Sequence, residues 1–134
     1  MVGLITFSIH GRSNYPARKI PGDIDIALDD GCEDQDYLEA LADGLSRAFR
    51  RCRPDLVIYL AGADPYAGDR LGRLSVSQEG LARRDLEVVS AVGNAGAALA
   101  TVMGGGYARD IDEGVSVHMA SIAATRTAWR GPRG

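Results

Sequence analysis

Cysteine is scarce in this chain: two residues, Cys32 and Cys52, among 134. That is far below the density of a small disulfide-built fold, so the expectation is two free thiols in a reducing cytoplasm. Met1 to Ile9 is too short for a secretory leader and has no charged n-region. No apolar run approaches the roughly 18 residues of a membrane-spanning helix, so no membrane partner is expected. A positive excess is missing too: 15 Lys and Arg against 18 Asp and Glu leave a net charge of -3. With no basic stripe, nucleic acid is not an expected partner. Internal repeats and low-complexity blocks are also absent.

What is present suits one ordinary globular domain, with 46% hydrophobic and 25% charged residues. Glycine is abundant, 17 residues, and several stand where strands end, which points to loops that let backbone approach something closely. Strand and helix patterns alternate along the chain. Val2 to Ile9 is apolar and β-branched and breaks at His10-Gly11. A basic loop with Arg12, Arg18 and Lys19 follows, and Asp23 to Leu28 alternates with period two, as a half-buried strand does. Asp34 to Arg51 places Tyr37, Leu38, Leu41, Leu45 and Phe49 at helical spacing, with arginines in its last turn, and Pro54 stops it. Asp55 to Ala61 reads as a parallel strand buried on both faces. Ser75 to Gln78 offers N-caps for a helix running to about Val92. Ala97 to Met103 is another buried strand, and Ile111 to Ala128 another helix. The expected domain is 1–128, with 129–134 a disordered tail.

This order implies an α/β fold with a parallel sheet, whose ligands bind at the C-terminal ends of the strands. His10, Asp64, Asp69 and Tyr107 all fall there. Asp64 follows a strand directly, behind the small residues Gly62 and Ala63. It is either presented at the sheet end or simply caps a loop. Tyr107 follows Gly104-Gly105-Gly106, a turn that leaves room for a substrate. A phosphate-cradling turn is the alternative, but the run has neither GxGxxG spacing nor a Lys-Ser/Thr ending. A generic nucleotide-binding domain would also need a phosphate turn after the first strand, and His10-Gly11-Arg12-Ser13 fits that poorly.

Longer strings resolve the choice. Pro54-Asp55-Leu56-Val57, then Ala61-Gly62-Ala63-Asp64-Pro65-Tyr66-Ala67-Gly68-Asp69-Arg70-Leu71-Gly72, then Gly80-Leu81-Ala82-Arg83-Arg84-Asp85 resemble the histone deacetylase family, most of all its bacterial and class IV-like branch. Phe7-Ser8-Ile9-His10-Gly11 with Asn14-Tyr15-Pro16 upstream, and Gly104-Gly105-Gly106-Tyr107 downstream, match in order. The resemblance covers about Phe7 to Ala128. It implies the three-layer parallel-sheet arginase/deacetylase-like fold, incomplete here at the N-terminus, and zinc-dependent hydrolysis of acetyl-lysine or a similar acyl-amine. Asp64 then corresponds to one of three zinc ligands, and Tyr107 to the tyrosine that hydrogen-bonds the substrate carbonyl oxygen. Tyr15 corresponds to an aromatic wall of the acyl-lysine tunnel and Leu71 to its floor, with Gly105 and Gly106 beside the substrate. Asp69 is expected to hold its loop.

The same resemblance implies what is missing. A catalytic zinc has three protein ligands and an open position. The family's Asp-x-His motif, which supplies the other two, and its proton-transfer histidine pair belong upstream of Phe7, and this chain has neither. His10 is expected to shape a loop. His118 shares helical spacing with Ile111, Val115, Met119 and Ile122, as a satisfied core histidine would. The expectation is therefore a C-terminal portion, inactive alone, whose exposed apolar sheet edge invites self-association. A non-catalytic interaction module retaining the fold is the alternative.

Overall fold

The computed structural model describes residues 3–128, so the expected tail lies outside the described residues. The order is β1 (Phe7–Gly11), β2 (Ile24–Leu28), α1 (Asp34–Arg51), β3 (Leu56–Gly62), α2 (Gln78–Ala95), β4 (Ala98–Gly104) and α3 (Ile111–Ala128). The class is α/β with parallel strands, as expected. β1 lies parallel to β2, with Phe7 opposite Ile24, and β3 lies parallel to β4, with Leu56 opposite Ala98. The two pairs are not hydrogen-bonded to each other. β1 ends at Gly11, so His10 belongs to the strand and not to the loop. Its partner β2 supplies carbonyls as far as that point, and backbone pairing decides where a strand ends.

Beyond β1 the chain crosses to β2 through a loop and not through a helix. Lys19 gathers that loop by donating Nζ to the carbonyls of Arg12, Asn14 and Pro16. α2 is capped by Ser77, whose Oγ accepts from Gly80 N–H at 3.0 Å. Ser77 in turn donates its N–H and Oγ–H to Asp34 in the first turn of α1. One carboxylate thus joins two helix N-termini, where the dipoles favour negative charge.

The core lies between the strands and the helices. Tyr37, Leu38 and Leu41 of α1, Leu81, Val88 and Val92 of α2, and Val117 of α3 meet Phe7, Ile9, Val57, Tyr59 and Leu99. α1 is close-packed where it crosses β1: a Cβ on Gly44 would fall 2.2 Å from Phe7 Cζ. Alanine improves helix propensity there, but overpacking outweighs it. Gly44→Ala is expected to cost about 1–2 kcal/mol, seen as a lower urea midpoint. An unchanged or higher midpoint would show that the ring moves aside freely.

Two expectations need correcting. Neither β3 nor β4 is buried on both faces; in β4, Ala98, Ala100 and Val102 are exposed. Val57 and Tyr59 point into the core, while Leu56, Ile58 and Leu60 are 54%, 61% and 70% exposed. All three helices take part in the one core that Val57 and Tyr59 enter, and no described element covers the opposite face. The described residues therefore supply two of the three expected layers. Second, the α3 stripe Ile111, Val115, Met119 and Ile122 is exposed, and α3 packs through Val117, Ser121 and Ala124 instead. Its small residues allow close approach to the neighbouring helix, which an apolar count does not register.

Candidate functional site

Two segments meet at the C-terminal ends of β3 and β4. Ala63 N–H donates to Gly104 O, Arg70 N–H to Tyr107 O, and Arg109 N–H to Gly68 O. The clasp between them is Asp69, which is buried. Its Oδ1 accepts from the N–H groups of Leu71 (2.8 Å) and Gly72 (2.6 Å), and its Oδ2 accepts from Tyr107 N–H at 2.5 Å. Both oxygens are used, one for each segment. Asp69 thus holds its loop, as expected, and fixes Tyr107 to it as well.

Asp64 sits within this clasp. Gly105 and Gly106 have φ of +57° and +101°, where a side chain would be strained. Space demands glycine too: a Cβ on Gly105 would stand 2.8 Å from Asp64 Oδ1, and one on Gly62 2.7 Å from the same atom. A Cβ on Gly72 would fall 1.9 Å from the Asp64 carbonyl oxygen. Gly62 and Gly105 let two backbone stretches close on the Asp64 carboxylate, and Gly72 lets a third close on its backbone carbonyl. Burial pushes the Asp64 carboxyl above the usual range, and the Asp69 carboxylate adds to this, against its own backbone N–H and Arg84.

Ionising Asp64 is therefore harder in the folded chain than in the unfolded one. Its contribution to stability is greatest below the unfolded value and is lost as pH rises through the folded one. Asp64→Asn is expected to be more stable than the native chain at pH 7 by on the order of 1 kcal/mol, a size usual when a functional-site group is removed. The difference should vanish near pH 3, where Asp64 is neutral in both states. Urea midpoints at the two pH values check this. A native chain as stable as the variant at pH 7 would contradict it.

Tyr107 and Leu71 lie on the exposed side of the clasp. The structure therefore brings Asp64, Gly105, Gly106, Tyr107 and Leu71 together. Tyr15 lies in the loop after β1 and is 93% exposed. On β1, His10 Nδ1 bonds with Ser8 Oγ at 2.9 Å, and burial, aided by Lys19, lowers its pKa.

His118 is not the satisfied core histidine its spacing suggests. Its Nδ1 is buried without a hydrogen-bond partner, and its Nε2 lies 3.4 Å from where a Gly106 Cβ would be. It packs against the turn that carries Tyr107.

Sequence reasoning passed over the pair beneath the site. Arg84 and Asp85 on α2 are only 3% and 1% exposed. Arg84 Nε donates to Asp85 Oδ1 at 2.9 Å. Its Nη2 is 2.8 Å from the same oxygen, an ion contact without hydrogen-bond alignment. Tyr59 and Ser121 donate their hydroxyls to Asp85 from β3 and α3. Arg84 Nη1 donates to Gly62 O, two residues before Asp64, and its guanidinium lies 5.8 Å from the Tyr59 ring centre. Against the lowering effect of burial, the Tyr37 and Tyr59 phenols and then Asp85 raise the Arg84 pKa, and burial keeps the Tyr59 phenol protonated. The available signal was two charges set between Leu81 and Val88 on the apolar stripe of α2.

Zinc is the group the sequence resemblance implies. Among the described residues no three His, Cys, Asp or Glu side chains are arranged to hold a metal ion. Asp64 is one carboxylate at a strand end, not a metal site by itself.

Residues 2–122 match the family model of the histone deacetylase domain. An uncharacterized protein of Picosynechococcus is 40% identical over 126 residues, which are 94% of this chain and 42% of that protein. Histone deacetylase 2 of Arabidopsis thaliana is 35% identical over 94 residues, 70% of this chain and 24% of that one. The chain thus spans less than half the length of these relatives. Among solved structures, an acetylpolyamine aminohydrolase from Burkholderia pseudomallei superposes with TM-score 0.76 at 21% identity, over 92% of this chain and 38% of that chain. A histone deacetylase homologue from Aquifex aeolicus does so with TM-score 0.71 at 19% identity, over 96% and 36%.

Proposed function

Because the chain belongs to the histone deacetylase family, we propose that it is the C-terminal portion of a zinc-dependent enzyme that hydrolyses acetyl-lysine or a similar acyl-amine, inactive without the remaining part. The observation that carries this reading is the clasp in which Asp69 ties the Tyr107 backbone to its own loop, with Gly105 against the Asp64 carboxylate. In it, Asp64 offers a single carboxylate to the metal, and two further ligands come from outside this chain. Its burial and its glycine surroundings suit a carboxylate kept for a ligand.

Tyr107 supplies the other element of the chemistry. When an amide is attacked, negative charge develops on its carbonyl oxygen, and a fixed O–H donor there lowers the barrier. The Asp69 bond to Tyr107 N–H sets the backbone from which that hydroxyl projects, so the donor is placed before substrate arrives. Leu71, tied to the same carboxylate, lines the approach of the acyl chain.

The test uses the chain alone and the chain co-produced with the remaining part of its Picosynechococcus relative. Alone, it is expected to bind zinc weakly and to leave an acetyl-lysine peptide and an acetylated polyamine intact. The co-produced complex should bind one zinc and hydrolyse at least one of the two. Asp64→Asn should abolish both properties. Tight zinc binding and hydrolysis by the chain alone would overturn the fragment reading, and a well-formed complex with no hydrolysis would favour an interaction module.

A further inference from the structure

The two segments of the clasp run antiparallel where they touch. Asp69 pairs with Ala108, and the N–H groups of Arg70 and Arg109 donate across to Tyr107 O and Gly68 O, each at 3.0 Å. In such a pairing side chains alternate in direction, and opposed residues share one face, about 5 Å apart at Cβ. Asp69 and Ala108 are turned into the protein, where Asp69 is buried. Arg70, Tyr107 and Arg109 are turned the other way, and all three are exposed. Arg70 is held there by its own side chain, whose Nε donates to Tyr107 O at 3.3 Å. Tyr107 thus stands between two guanidinium groups on the outward face of the clasp.

Neither charge is cancelled nearby. Among the described residues, neither arginine forms an ion pair. The acids close to them in sequence are engaged elsewhere. Asp69 holds backbone N–H groups of both segments, Asp110 Oδ1 accepts from Asp112 N–H at the start of α3, and Glu113 accepts the Tyr66 hydroxyl. The chain as a whole carries a net charge of -3, so this positive face is a local feature and not the average of the surface. The planar, always-charged fork of arginine is suited to a carboxylate. A polyamine or a lysine-rich peptide would meet like charge in the same place.

We infer that Arg70 and Arg109 form an anion-recognising rim beside Tyr107, so that the acyl-amine taken here carries carboxylates on its amine side, as an acetyl-lysine between acidic residues does, and is not a polycation. Because both arginines stand on the outward face, they meet the part of the substrate that stays outside. This rests on the hydrolytic reading and adds the charge class that the reading leaves open.

Three probes test it: an acetyl-lysine peptide flanked by glutamates, the same peptide flanked by lysines, and acetylated spermidine. Binding is read first on the full chain alone, from the NMR shifts of the Arg70, Tyr107 and Arg109 backbone amides. The glutamate peptide is expected to bind about 10-fold tighter than the lysine peptide at low salt, as complementary rim charge allows. High salt, which screens exposed charges, should bring the ratio toward one. Arg70→Gln combined with Arg109→Gln should abolish the preference. Arg70→Lys keeps the charge and should keep most of the preference, which a purely structural role of the guanidinium would not allow. Arg53→Gln removes an equal charge before the opposite end of β3 and should leave the ratio unchanged. Equal binding of the two peptides, tighter binding of the lysine peptide or of acetylated spermidine, or shifts confined to other residues would each overturn the inference. The co-produced complex keeps the two readings apart. If it hydrolyses the lysine peptide as fast as the glutamate peptide, the rim falls and the hydrolytic reading stands. If it hydrolyses nothing while the chain keeps its binding preference, the hydrolytic reading falls and the rim stands.

Discussion

Asp85→Ala is expected to lower the stability of the chain by about 3–5 kcal/mol, the usual result when one partner of a buried ion pair is removed. A domain of this size has a total stability of roughly 5–15 kcal/mol, so the variant should be largely unfolded in moderate urea. The cause is what the alanine leaves behind. Arg84 is buried, and its charge would face the core with only the Gly62 carbonyl and the Tyr59 ring for company. Tyr59 and Ser121 would lose their acceptor as well, leaving two hydroxyls buried without it. A second substitution, Arg84→Met, should restore a large part of the loss, because an apolar side chain of similar length removes the stranded charge. Urea unfolding of the two single variants and the double variant closes the cycle and measures the coupling. An Asp85→Ala variant within 1 kcal/mol of the native chain would sink this account of the network.

Tyr107→Phe is expected to have the largest effect on catalysis. In the assembled enzyme proposed above, loss of the hydroxyl should lower kcat by about 10²–10³-fold and leave KM nearly unchanged, as removal of a donor to a developing oxyanion does. Folding should be untouched, because the Tyr107 side chain is exposed. Asp69→Asn makes an instructive contrast. The amide has one acceptor oxygen where the carboxylate uses two, so it can hold either the Leu71 and Gly72 N–H groups or that of Tyr107, not both. The substitution should speed amide exchange on whichever segment it releases, an effect that Tyr107→Phe should not produce. Equal kcat for Tyr107→Phe and the native assembly would remove Tyr107 from the chemistry.

Much of this architecture was legible beforehand because its signals are local. α1 and α3 start and stop where periodicity and proline indicate, since a helix satisfies its own backbone and needs only a consistent face. Strand limits were less legible. β1 extends to Gly11 because β2 supplies its hydrogen bonds, and no property of Gly11 announces that. The apolar run of β3 suggested burial on both faces, but composition records what a residue tolerates and not what stands opposite it. The α3 stripe misled in the same way.

The site divides along the same line. Asp64, Gly105, Gly106 and Tyr107 could be chosen from the strings around them, because strand ends and glycine turns are features of contiguous sequence. Arg84 and Asp85 could not, since a charged pair on an apolar stripe becomes intelligible only when Tyr59, Ser121 and the Gly62 carbonyl are brought to it from three other segments. The same is true of His118, whose contact is a turn closed by Gly106. By itself, the sequence determined the α/β class and the order of elements, both set by short-range pattern. Tertiary structure alone decided which face of β3 and β4 lies bare, that Asp69 clasps Asp64's loop to Tyr107, and that a buried ion pair underlies both. Those outcomes depend on groups far apart in the chain meeting in space, where desolvation makes each pairing count.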